Sequence, residues 1–401
     1  MTESVPSVLT KYHTHSAIEP LSSDQLDQLE RIWNPLHLAC QQRIIPSASA
    51  AIYWRGHCWY KAVGWAVDTD HMQIAADTHT VYDCASLTKV TVTLPLILTL
   101  VEHGMLELDR PISAYLTEFQ TGPHQQITLR QLLSHTSGLP AIADFHSSAA
   151  LTLPEAIQTI SQMPPAYEAG QARMYSDPGF IVLGELFTRI SGLQLTAGAE
   201  QYIWKPLHME QSTFVPGPSH AATMAATEYD NQTERYLQGI VHDENARALG
   251  GMCGHAGLFA TASDLLRYAQ YWLEAVHTQR MHSPANLFNA PIPPLSLSEQ
   301  LLHEAVTRQT PMLPGTRRGL GWVLQGDEAD VSGPILSAAA FGHTGFTGTS
   351  IQIDPSQQLA IILLTNRVHY GRTQSIQQLR RDFHTAVASA LNHLPAQPSF
   401  Y

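Results

Sequence analysis

The chain has 401 residues, 44% hydrophobic and 14% charged, with a formal net charge of −12. That length supports about two or three domains and buries a core without disulfide or metal staples. An acidic chain with no block of Lys or Arg argues against nucleic-acid or anionic-membrane partners.

Residues 1–20 show no basic stretch followed by an apolar one. No signal peptide is read there, and a cytoplasmic location is expected, or a periplasmic or secreted one if a leader has been removed. His13 and His15 fall in what reads as a mobile terminus. Residues 22–42 read as an amphipathic helix, with Ser22 and Ser23 as N-caps and Leu26, Leu29, Ile32 and Trp33 at helical spacing. Residues 47–55 and 58–66 are β-prone on either side of Gly56, a hairpin pattern. Residues 86–106 read as an apolar helix; their most apolar part, 90–101, is too short to span a bilayer. Further helices are predicted at 128–133, 154–163, 179–190 and 262–273. Residues 283–294, rich in Pro and Asn, read as a linker or surface excursion. Strands are predicted at 320–325, 347–353 and 359–364, and a closing helix at 376–391.

Two strands alone are marginal in water, so the two β regions are expected to join into one antiparallel sheet of about five strands. The result is an α+β fold: a sheet domain, 1–84 plus 310–401, flanked by the terminal helices, with 85–309 inserted as a mostly helical lobe. A cleft between such lobes is a favoured site.

The four cysteines, Cys40, Cys58, Cys84 and Cys253, are far apart and form no CxxC, so neither a zinc ribbon nor a disulfide framework is indicated. There is no H-E-x-x-H, and His303-Glu304 lacks a second His at the required spacing. Neither a G-x-G-x-x-G nor a phosphate loop is present, and no G-x-S-x-G elbow. No metal or cofactor is expected. Cys84 reads as a small packed residue.

Ser86-Leu87-Thr88-Lys89 opens a predicted helix. Residues i and i+3 share a helix face, so the Lys89 amine can reach the Ser86 hydroxyl. A serine at a helix start, near free N–H groups, suits acyl transfer if a neighbour takes its proton. Taken alone, the tetrapeptide more often marks an N-cap serine and a surface lysine. Three other segments add weight: the compact run 133–140, LSHTSGLP; Tyr175-Ser176-Asp177 before Pro178-Gly179; and Gly342-His343-Thr344-Gly345 opening a strand.

With these motifs the chain resembles the serine β-lactamase and penicillin-binding-protein superfamily. It is nearest the class C β-lactamase-like proteins, which include family VIII carboxylesterases and D-amino-acid peptidases. The family signatures S-x-x-K, Y-x-N and K-T-G correspond in order to Ser86/Lys89, Tyr175/Asp177 and His343-Thr344-Gly345. The resemblance implies the β-lactamase/transpeptidase-like fold. It also implies that Ser86 forms an acyl-enzyme, that Lys89 and Tyr175 share the proton work, and that the Ser86 and Phe346 amides form an oxyanion hole. Gly345 lets the edge strand approach substrate.

Two positions depart from the pattern. His343 stands for a lysine that supplies a fixed cation for a substrate carboxylate, and a mostly neutral imidazole supplies less. Asp177 stands for an asparagine; an ionised carboxylate only accepts hydrogen bonds. It pairs with Lys89, keeping it charged, or accepts from a substrate amine or amide. Both changes favour esters or peptides with a free amine over β-lactams.

A second segment runs from Val241-His242-Asp243-Glu244-Asn245 to Gly254-His255-Ala256-Gly257. It resembles a pattern of cell-wall-related homologues, some of them muropeptide amidases. That likeness places His242, Asp243 and Asn245 near the cleft; the alternative, favoured for His255, is that His255 and Asp243 brace a tight loop. The expected activity is hydrolysis of an ester or amide in a small molecule or short peptide, cell-wall-peptide-like or D-amino-acid-containing, with weak β-lactamase activity. The alternatives are a true class C-like β-lactamase or D-alanyl-D-alanine carboxypeptidase, and a non-catalytic muropeptide or penicillin sensor. A monomer is expected.

Overall fold

The structure is a computed structural model, described for residues 5–14, 29–147, 151–217, 220, 223–277 and 295–392. Its main sheet is built from β1 (Ser7–Thr14), β2 (Ser47–Trp54), β3 (His57–Asp68), β4 (Gln73–Ala75), β5 (Val323–Leu324), β6 (Phe341–Thr344), β7 (Ser350–Asp354) and β8 (Leu359–Thr365). The order is β1-β3-β2-β8-β7-β6-β5, with β4 paired to β3, and every pairing is antiparallel.

β8, Leu-Ala-Ile-Ile-Leu-Leu-Thr, is buried throughout. Its side chains alternate between two cores: Ala360, Ile362 and Leu364 face one, and Leu359, Ile361 and Leu363 the other. This is the period-two signature of a strand covered on both faces. One face carries α1 (Asn34–Gln41) and the closing helix, through Leu36, Ala39, Phe383 and Val387. Full burial of each Leu, Phe or Val side chain contributes roughly 1.5–3 kcal/mol.

Between the two β regions run α2 (Leu94–Glu102), α3 (Leu129–Leu133), α4 (Leu153–Gln162), α5 (Asp177–Ser191), α6 (Glu244–Ala248) and α7 (Ala262–His277), and α8 (Gln377–Asn392) closes the chain. α3 starts with a capping box between Thr128 and Gln131. α5 is capped by Ser176, which accepts from the Gly179 N–H at 3.2 Å, and ends on Gly192 in the left-handed region.

Several expectations change. The sheet has eight strands rather than about five, because β1, three-residue β4 and β6 add to the five expected, of which 320–325 shrinks to two-residue β5. Residues 7–14 pair with β3 instead of forming a mobile terminus. Of the helix predicted at 22–42, residues 22–28 lie outside the described region. The remainder breaks at Ile32-Trp33, because Pro35 has no N–H to continue it and sits instead in the first turn of α1. Pro178-Gly179 lies inside the first turn of α5. Residues 341–344 form their own strand rather than opening the next one. α7, counted with the helical block, lies against β8, β2 and β7. There Trp272 meets Trp322 and Phe341 edge-on at 5.3 and 5.8 Å. The linker predicted at 283–294 lies outside the described residues. Among the described residues no helix is long and apolar enough to cross a membrane.

Candidate active site

The turn carrying Ser86 is held from below. Ala85 has φ of 46°, a left-handed conformation that costs a residue with a Cβ on the order of 1 kcal/mol or more. It is fixed by buried Asp83, whose Oδ1 accepts the Ala85 N–H at 2.8 Å while Oδ2 accepts the His242 N–H at 2.7 Å. The helix then passes through a π turn over Lys89–Thr93, a distortion frequent at functional sites.

Lys89 is fully buried beneath Ser86. Its ammonium has three N–H groups and three acceptors around it: Ser86 Oγ at 3.1 Å, the His255 carbonyl at 2.9 Å and Asp177 Oδ1 at 2.7 Å. The approach to Asp177 is an ion pair without good hydrogen-bond angles, since Oδ1 is matched to no donor. Nζ also lies 4.9 Å from the centroid of the Tyr175 ring. Burial opposes charge on Lys89, but Asp177, with Tyr175 beside it, outweighs burial and lifts the ammonium above its ordinary pKa. Burial raises the Tyr175 phenol against the pull of Lys89, so Tyr175 is neutral at pH 7. Lys89 and Ser86 beside the hydroxyl pull the other way without cancelling the effect of burial.

The predicted residues Ser86, Tyr175, Asp177, His343, Thr344 and Gly345 line one cavity of about 640 Å³, with Lys89 behind its wall. Phe346, His242, Asp243 and Asn245 line it too. A Cβ on Gly345 would lie 2.5 Å from the Cys84 carbonyl oxygen and 2.1 Å from Thr349 Oγ1, so only glycine lets this strand end meet the Ser86 turn. Phe346 is 49% exposed and stacks on His242 at 5.8 Å.

His343 is buried, and burial, with Lys89 nearby, pushes its pKa well below the ordinary value. A neutral ring beside the cavity supplies no fixed cation. Nδ1 is 2.9 Å from the Thr344 carbonyl oxygen.

The second segment has mixed roles. Asp243 caps α6 by accepting the Ala246 N–H at 2.8 Å and holds the His255 ring at 2.9 Å. Burial opposes a charge on His255, but Asp243 overrides it and raises the pKa to about 10. Asn245 accepts from the Phe145 and His146 N–H groups and donates to the Ala143 carbonyl, so its amide fastens the 143–146 loop. His242 pairs with Glu228 at 3.0 Å.

Other parts of the site carried little sequence signal. His135 accepts the Ser176 N–H on Nδ1 at 3.1 Å and packs 4.5 Å from the Tyr175 ring, fixing the tyrosine's segment. Its only signal was the run 133–140. Five arginines, Arg173, Arg318, Arg367, Arg372 and Arg380, also line the cavity. Arg173 pairs with Glu328, Arg318 with Asp327, and Arg372 with Glu228 and Glu244. Their sequence separation hid the cluster. The His255 carbonyl is placed by glycine contacts: a Cβ on Gly254 would lie 2.1 Å from the Phe180 carbonyl oxygen, and one on Gly184 2.8 Å from Gly254 Cα.

The family described as "Beta-lactamase" matches residues 28–384. The chain is 31% identical over 320 residues to an N-acetylmuramyl-L-alanine amidase of Bacillus subtilis (strain 168), covering 73% of this chain and 69% of that protein. It is 30% identical over 328 residues to a putative D-alanyl-D-alanine carboxypeptidase of Salmonella agona (strain SL483), covering 74% and 71%. Among solved structures, a β-lactamase from Sulfitobacter sp. EE-36 superposes with a TM-score of 0.71 at 19% identity, covering 93% of this chain and all of that one.

Proposed function

This chain belongs to the β-lactamase family of hydrolases, and on that premise we propose that Ser86 is the nucleophile of an acyl-enzyme hydrolase that opens amide or ester bonds in cell-wall-peptide-like substrates. The observation that carries the reading is the commitment of Lys89 to Ser86 Oγ, Asp177 and the His255 carbonyl, with Tyr175 beside it, at the wall of the cavity. The names of the amidase and carboxypeptidase relatives support a peptide-like substrate.

In this reading Ser86 Oγ bonds to the substrate carbonyl carbon, and the amides of Ser86 and Phe346 receive the oxyanion. Such donors matter most where charge develops. The serine proton needs a destination. Lys89 rests as an ammonium and Tyr175 as a phenol, so neither accepts a proton without passing one on. Asp177 ends that chain: Lys89 gives it a proton, and the freed lone pair takes the one from Ser86. The C–N or C–O bond then breaks as Tyr175 or Lys89 protonates the leaving group. Water enters by the reverse route and releases the acid.

The test is a covalent mass shift with a fluorophosphonate or penicillin, mapped by peptide digestion. It is followed by kinetics on p-nitrophenyl acetate, nitrocefin and a set of muropeptide amides. The adduct is expected on Ser86, with the highest kcat/KM on a muropeptide. No adduct and no turnover would instead make the protein a binding module, and fastest turnover of nitrocefin would overturn the specificity read from His343.

A further inference from the structure

Three of the five cavity arginines meet carboxylates; for Arg367 and Arg380 no ion pair is found among the described residues. Arg380, on α8, is 6% exposed. One of its nitrogens, Nη2, donates to the Gly345 carbonyl at 2.8 Å and to the Thr349 carbonyl at 2.9 Å. Gly345 N–H donates to that same Thr349 oxygen at 2.8 Å, closing a clamp around residue 345.

The Gly345 carbonyl and the Phe346 N–H are the two ends of one peptide unit. That unit is planar and trans, so a donor that fixes the C=O direction fixes the opposing N–H direction as well. Amide resonance adds a second effect. A cation on the carbonyl oxygen draws density from the nitrogen, and hydrogen bonds in series strengthen one another in this way. Simple bracing of the turn needs only neutral donors, yet the position holds a buried guanidinium with no carboxylate paired to it among the described residues, a costly arrangement. Burial, with Arg367 nearby, pulls its pKa down to about 9, which leaves it a cation at pH 7.

We infer that Arg380 is a positioning residue that aims the Phe346 N–H at the cavity and strengthens it as an oxyanion donor, acting through the Gly345–Phe346 peptide unit. This rests on the reading above that the Phe346 amide receives the oxyanion. Arg367 is an internal control. Its Nε donates to the Phe346 carbonyl at 2.8 Å, which belongs to the following peptide unit. It braces the same turn without touching the oxyanion unit.

The test compares Arg380→Met, Arg380→Lys and Arg367→Met by kcat and KM on a p-nitrophenyl ester. It adds the isotope-edited infrared band of the acyl carbonyl on Ser86. Arg380→Met should lower kcat by about 10-fold or more, short of the 10²–10³ for loss of a whole oxyanion donor, with KM little changed. Its acyl carbonyl band should move to higher frequency as hydrogen bonding weakens. Arg380→Lys should recover most of both. Arg367→Met should lower the thermal midpoint and leave the band in place.

An unmoved band in folded Arg380→Met overturns the inference, as does a Lys variant as impaired as the Met one. Should the Met variant not fold, Arg380→Gln replaces it: the cationic Lys variant must exceed the neutral Gln variant in kcat, and the reverse order overturns the proposal. Failure of the acyl-enzyme reading is separate, since it shows in the unsubstituted protein as absence of any Ser86 adduct.

Discussion

Two buried cations stand behind the same cavity wall, and each is held by an aspartate that faces the cavity. Lys89 meets Asp177 at 2.7 Å and His255 meets Asp243 at 2.9 Å. Both cations are raised in pKa against the opposing effect of burial. They differ in what else they touch. Lys89 reaches the Ser86 hydroxyl, whereas the His255 ring reaches only its own loop and lends its backbone carbonyl to Lys89. A perturbed pKa by itself therefore does not separate a reacting group from a brace; the third contact does.

The comparison breaks most directly at Ser86. Ser86→Ala should cut turnover by at least about 10³-fold with an unchanged thermal midpoint. Retained activity would make the Lys89 pair as structural as the His255 pair. Tyr175→Phe removes the hydroxyl proposed to protonate the leaving group, and should cost about 10²-fold or more in kcat. Asp177→Asn sharpens the contrast through pH. If Asp177 takes the proton from Lys89, the acid limb of the kcat/KM profile moves to higher pH in the variant, because the amine must then lose its proton to solvent first. A limb that moves to lower pH would mean that Asp177 only holds a charge in place.

His255→Asn tests the brace. The His255 pKa is raised from 6.5 to about 10, so the stability it contributes is complete below 6.5 and is lost as pH climbs to about 10. The thermal midpoint of the protein should fall across that window, and the variant should lack that part of the slope. An equal slope in both proteins would remove His255 from the account.

Much of this was legible in local pattern. The i, i+3 spacing of Ser86 and Lys89, the helix at 128–133 and the apolar run of β8 are properties of contiguous residues, and each took the expected form. The acceptor that the sequence could not show for Lys89 is a main-chain carbonyl 166 residues away, and main-chain atoms carry no residue type. Arg380 was equally hidden. On an amphipathic helix a charged residue reads as solvent-facing, yet here the side chain turns under a strand end. β1 escaped because an edge strand draws its definition from a partner elsewhere in the chain.

The packing of Gly184 against Gly254 has a reach beyond its own size. A single methyl group at either place would act as a wedge, easing the loop off the helix and taking the His255 carbonyl with it. The lysine would then be left one partner short while every polar side chain stayed in the chain. Loss-of-function alleles should therefore cluster at these two glycines as well as around the serine.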